Sequence, residues 1–344
     1  MLPIVLGPLL KHRVWGGARI CPFLKLPDPP APIGEAWLVA DLPTSIAEGA
    51  SPIVAGHGTG GTLKSVMAAE GDLVLGRAAA SPSGDFPLLV KLLDADEPLS
   101  VQVHPSAAYA QAHPDCFMKS EAWLVLDARP GATLYRGIRR EVDAATFTRH
   151  LREGGAIDDL VREPVRAGQT YWLPSGICHA LGAGTMVAEY QTPSDTTFRV
   201  YDWDRNDPKR PLHLDQAMEC ILFGEDQVLN APDDHEPWRA CGRSWRGRTR
   251  VRTEFFRVDE LEAPMGAVAE LPERDTPTVW TLVSGTARLS TGSWQADLAP
   301  GASFILPAVA SGCRLLATEP VALLVATLPD ALRGHDDRTS WHLA

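Results

Sequence analysis

The chain has 344 residues, 45% of them hydrophobic and 22% charged, with 32 Lys plus Arg against 43 Asp plus Glu and a net charge of −11. That length accommodates two domains with cores of their own. The acidic balance argues against a nucleic-acid partner, and an anionic small substrate has to meet a local basic cluster.

No run of about 18 apolar residues occurs, so no membrane-spanning helix is expected. The 29 Pro and 29 Gly favour many turns between short strands. Cys21, Cys116, Cys178, Cys220, Cys241 and Cys313 form no C-x2-C pair and read as reduced thiols of a cytoplasmic protein. The apolar start is broken by Pro3 and Pro8 and lacks a basic leader, so it reads as a buried first strand rather than a signal peptide.

In chain order, residues 1–60 carry short apolar runs between Pro/Gly turns, and Thr62 to Leu75 reads as a short helix. Phe86 to Leu93 reads as a buried strand containing Lys91, and lysines are seldom buried without a partner. Leu99 to His104 alternates, with Leu99, Val101 and Val103 on one face and Ser100, Gln102 and His104 on the other. That polar face suits a site better than plain solvent. Glu121 to Leu126 is a further strand. Residues 141–165 have helical spacing through Val142, Phe147, Leu151 and Leu160, the centre of a helical insertion at about 138–166.

Then comes Gly168-x5-Pro174-x-Gly176-x2-His179: a strand, a Pro/Gly turn, and a second strand opening on an inward histidine. Residues 224–250 are polar and Pro-rich and end in a basic Arg243–Arg250 stretch, a linker or crossover. Short strands return over 251–330. Gly301-x5-Pro307 repeats the earlier turn pattern, but no histidine follows. Asp336 to Ala344 reads as a polar tail.

The Gly168–His179 pattern resembles the second metal-ligand motif of the cupin barrel. Such a histidine needs partners from an earlier hairpin, and Gln102, His104 and Glu121 supply them. Four N/O donors of this kind suit a borderline or hard divalent ion, zinc first and Mn, Fe or Co after it, one per chain. The expected fold is mainly β: two cupin-like jelly-roll barrels, the first carrying the helical insertion. Residues 1–225 are the expected metal-binding catalytic domain, 226–250 the linker, and 251–344 a degenerate cupin-like domain without metal.

The segments Leu88 to Asp94, Leu99 to Pro105, Lys119 to Trp123, Pro174 to Leu181 and Glu189 to Trp203 together resemble type I phosphomannose isomerase, in family order over about residues 1–220. Trp15-Gly16-Gly17 and Glu35-Ala-Trp37 resemble its N-terminal signatures. The resemblance implies a zinc enzyme that interconverts mannose 6-phosphate and fructose 6-phosphate. It implies Arg199 as the arginine that stabilises oxyanion charge. Lys91, Ser100 and Lys119 are expected to line the same cavity, and Glu189, Lys119 or a zinc-bound water to carry the proton. Departures such as Ser106-Ala107 after His104-Pro105, Met118 before Lys119 and Ile177-Cys178 before His179 bear on substrate preference. The competing readings are a metal cupin acting on another phosphosugar, an iron cupin oxygenase, and a non-catalytic sugar-binding cupin. The cluster of Lys91, Lys119 and Arg199 favours a phosphosugar.

Overall fold

The computed structural model describes every residue except 28, 30, 336–340, 342 and 344. The described residues form a mainly β protein of four antiparallel sheets with eight, six, five and four strands, none of them closed. No helix among them is long and apolar enough to cross a membrane.

The six-stranded sheet is ordered Thr170–Leu173, Glu121–Ala128, Thr185–Gln191, Leu89–Ala95, Leu9–Gly17 and Ile33–Val39. The five-stranded sheet is ordered Phe198–Tyr201, Val101–Val103, His179–Leu181, Thr133–Ile138 and Leu160–Pro164. The site lies between them. The six-stranded sheet also packs its other face against the eight-stranded sheet, through a core of Val90, Leu92, Leu124, Val258, Val279 and Leu324. Burial on both faces explains why Leu89–Ala95 is buried at every position, including Lys91 and Asp94.

Three elements follow their sequence signals closely. The helix Leu63–Leu75 starts at Thr62, whose side chain forms a capping box with Ser65. The strand Ile4–Leu6 is buried and pairs with Ser303–Ile305, so the start of the chain joins the sheet built by its C-terminal third. In the inserted segment the helix Ala144–Glu153 is capped by Asp143 and stops at Gly154, whose left-handed φ of 85° suits glycine.

Three others differ. Leu160–Pro164 is an edge strand paired with Thr133–Ile138 rather than helix, and Pro164 sits at its end, where a missing N–H is tolerated. The basic stretch enters a strand, Arg246–Arg252, because its arginines recur every second residue. Arg246 and Arg248 pair across the ladder with Glu262 and Glu260, and buried Arg250 reaches back to Gly168 O and Thr170. Of the expected polar tail, 336–340, 342 and 344 lie outside the described residues. Trp341 and Leu343 are buried, with Trp341 donating to Asp259 Oδ2 at 3.0 Å and packing on Trp280.

Candidate active site

Two rows of side chains face each other across the gap between the five- and six-stranded sheets. Directly opposed residues in neighbouring strands project to the same side. In the six-stranded sheet, Trp37, Lys91, Glu189 and Trp123 stand opposite one another across four strands. Glu121 and Gln191, also opposed, form the next row. In the five-stranded sheet, Arg136, His179, Gln102 and Arg199 form the answering row. The opposite face of Val101–Val103 is covered by Val142, Phe147, Ala217 and Ile221, so the alternation read from the sequence separates site from core.

The turn that delivers His179 depends on Gly176. Its φ is 87°, and a Cβ there would lie 2.7 Å from Leu222 Cγ and 2.9 Å from Cys220 O. Gly176 N–H donates to His104 O, which binds the turn to the first histidine, and Ser175 Oγ–H donates to Lys119 O.

His104, Glu121 and His179 are fully buried and offer ligand atoms within 4.8 Å of one another. His179 Nε2 is 3.1 Å from Glu121 Oε1, and His104 Nε2 is 3.5 Å from Glu121 Oε2. Each histidine donates its Nδ1–H to a carbonyl, His104 to Thr196 O at 3.1 Å and His179 to Ile177 O at 2.8 Å. A carbonyl only accepts, so both rings are held with Nε2 lone pairs aimed inward, the arrangement a metal ligand needs. Burial and the Lys119 ammonium push the His104 imidazole down to about 3 against the pull of Glu121, which keeps it neutral. His104 Nε2 and Glu121 Oε1 are buried without a hydrogen bond, and Glu121 Oε2 meets only the Lys119 ammonium as a donor. Buried polar atoms left this way call for a further binder, and two imidazoles with a carboxylate fit a divalent cation. Gln102 is adjacent, its amide nitrogen 3.4 Å from His179 Nε2 and its Oε1 accepting from Ser100 Oγ at 3.3 Å. Ligation by Gln102 requires the flipped amide.

The cations crowd this cluster. Lys119 is buried with Nζ 3.0 Å from Glu121 Oε2, not on an exposed loop. Burial alone would lower its pKa, but Glu121 and Glu189 outweigh burial and raise it. For Glu121 burial acts upward, and the Lys119 ammonium outweighs it, holding the carboxyl well below its usual range. Lys91 has the partner its burial demanded: Glu189 Oε1 at 3.1 Å, with Gln191 Oε1 at 2.7 Å beside it. Trp123 Nε1–H donates to Glu189 Oε2 at 2.8 Å and fixes that carboxylate from the other side.

Arg199 is half-buried. Asp202, a candidate structural partner, is held by Arg210 at 2.7 Å and Arg205 at 3.0 Å instead. Arg199 keeps a long 3.5 Å bond to Pro211 O and leaves Nε without a partner. Burial and neighbouring Arg210 lower its pKa, the signature of a cation short of counter-charge.

The structure thus brings Gln102, His104, Glu121, His179, Ser100, Lys91, Lys119, Glu189 and Arg199 to one gap. Sequence reading assigned no role to Trp123 or Gln191, although each shares a strand face with a candidate two residues away. Nor did it assign one to Glu35 and Trp37, which alternate on one strand beside Lys91.

The model of the phosphomannose isomerase type I catalytic domain matches residues 4–122. A mannose-6-phosphate isomerase of Streptococcus mutans is 32% identical over 309 residues, covering 89% of this chain and 92% of that protein. One from Bacillus subtilis is 30% identical over 311 residues, covering 89% and 93%. The crystal structure of the Bacillus subtilis mannose 6-phosphate isomerase superposes with a TM-score of 0.84 at 27% identity, covering 95% of this chain and all of that one. From sequence and structure together, the chain belongs to the type I phosphomannose isomerase family.

Proposed function

We propose that this chain is a zinc-dependent aldose–ketose isomerase, interconverting mannose 6-phosphate and fructose 6-phosphate by proton transfer through an enediol. The observation that carries the reading is the buried set of two inward Nε2 lone pairs with the Glu121 carboxylate between them, ringed by Lys91, Lys119 and Arg199. Relatives carrying that activity's name support it.

One zinc per chain would be held by His104, His179, Glu121 and the flipped amide of Gln102, and when bound it supplies a Lewis-acidic charge near the sugar's O1/O2 end. The remaining work falls to the chain's own groups. Lys91 and Ser100 orient the phosphosugar. Glu189 and Lys119 carry the proton between C1 and C2, one group taking it and returning it to the neighbouring carbon. Arg199 cannot act as a base. Uncommitted to a carboxylate, it stabilises the oxyanion that develops as the C–H bond breaks. The row geometry supports these roles, because Arg199 stands opposite Gln102 on the same sheet face.

With this reading go the division into a metal-bearing part (1–225), a crossover (226–250) and a metal-free part (251–344), the description of the paired sheets as two cupin-like barrels, and work in the cytoplasm. A coupled assay of mannose 6-phosphate conversion on metal-analysed protein tests it. Activity that disappears on chelation and returns with zinc is expected. Full activity in metal-free protein overturns the metal role, and no conversion overturns the reaction.

A further inference from the structure

Lys91 does not stand alone in its row. Opposite it is Trp37, and the Lys91 ammonium lies 5.4 Å from the centre of the indole ring, within reach of a cation–π attraction. Trp37 is buried, and its Nε1–H donates to Glu35 Oε2 at 2.7 Å. Glu35 is held in turn by Arg13, through Nε at 2.8 Å and Nη2 at 3.2 Å. Room for that clamp comes from Gly34, where a Cβ would lie 2.5 Å from Arg13 Cβ. The arrangement mirrors the other end of the row, where Trp123 donates to Glu189. Lys91 therefore sits between two Trp–Glu pairs, one touching it through a carboxylate and the other through an indole face.

We infer that Glu35 is a positioning residue for the phosphosugar site: it fixes the Trp37 indole beneath Lys91 and, as a second carboxylate behind that ring, holds the ammonium aimed at substrate. The inference rests on the assignment of Lys91 to substrate binding made above. The electrostatics agree. Burial acts to raise the Glu35 carboxyl, but Lys91 and Arg13, with the bonds from Arg13 and Trp37, hold it at about 2, so it stays charged.

A double-mutant cycle on calorimetric binding of fructose 6-phosphate, with KM and kcat read beside it, tests the inference. Glu35→Gln is expected to weaken binding and raise KM about tenfold, within the coupling range of interacting side chains, with a smaller change in kcat. Metal content and melting temperature should hold, and Glu35→Asp, which restores the charge, should recover most of the affinity. In a Lys91→Met chain, Glu35→Gln should cost no further affinity, since the Lys91 ammonium is gone and Lys11, 4.8 Å from the same indole, is not the group assigned to substrate. If Glu35→Gln loses the same factor with Lys91 present or absent, Glu35 serves the fold at large and the inference is overturned while the isomerase reading stands. If the native chain neither binds nor converts fructose 6-phosphate, the functional reading fails and takes this inference with it.

Discussion

The chain uses one turn pattern twice and fills the two neighbourhoods in opposite ways. Gly168-x5-Pro174 leads to His179, and Gly301-x5-Pro307 leads, at the same spacing, to Gly312. Around the first, His104, Glu121, His179, Lys91, Lys119 and Glu189 are all buried. Around the second, the buried set is mostly apolar, with Trp280, Phe304, Leu289, Leu315 and Val325, Trp280 stacked on Phe304 at 5.8 Å, and the ion pair of Arg257 and Asp259 beside it. Apolar packing stabilises a sheet pair directly. Buried charges cost desolvation and persist only where they answer one another, as Lys91 answers Glu189 and Lys119 answers Glu121. Perturbed, mutually dependent ionisable groups concentrate where chemistry is done. The contrast separates a region built to stabilise from one built to act.

The strongest way to break this contrast is His104→Ala. It should release the metal and reduce turnover on the order of a thousandfold, the scale of several kcal/mol of lost charge stabilisation. Metal analysis beside the coupled assay decides it, and retained metal with retained turnover would erase the distinction between the regions. The converse probe is Trp280→Ala, which should cost about 4 kcal/mol of stability by emptying the apolar core while leaving metal content per folded chain unchanged. Urea unfolding followed by metal analysis of the folded fraction measures both.

Arg199→Ala tests the acting region without touching a ligand. It should keep fold and metal and lose about a hundredfold, mainly in kcat, as removal of a preorganised oxyanion donor does. A loss confined to KM assigns Arg199 to phosphate binding, and full activity removes it from catalysis. The smallest effect is expected from Gly312→His, which puts a histidine at the spacing of His179 in the second neighbourhood, where Val309 stands in place of Gly176. Gly312 has φ of 62°, and a Cβ there meets only Thr291 Oγ1 at 4.0 Å, so histidine there should cost about 1 kcal/mol of backbone strain. Metal content should stay at one ion per chain, because a lone histidine lacks partners. A second bound ion would show that the turn, and not the facing strand, makes the site.

Sequence alone determined what is local or strictly periodic. The helix over Thr62 to Leu75, the two faces of Leu99–His104, the Pro174–Gly176 turn and the meeting of His104, Glu121 and His179 were legible from local spacing and the motif it forms. Tertiary structure decided what depends on pairing between distant segments. Leu160–Pro164 became strand because Thr133–Ile138 offered an edge, which no helical period in 141–165 could announce. The arginines of 246–252 became a sheet ladder because Glu260 and Glu262 lie across from them. Ile4–Leu6 joined the C-terminal sheet some 300 residues away. The row Trp37–Lys91–Glu189–Trp123 exists only in the register of four strands drawn from four separate stretches of chain, so the residues that steady Lys91 emerge only once those strands are aligned.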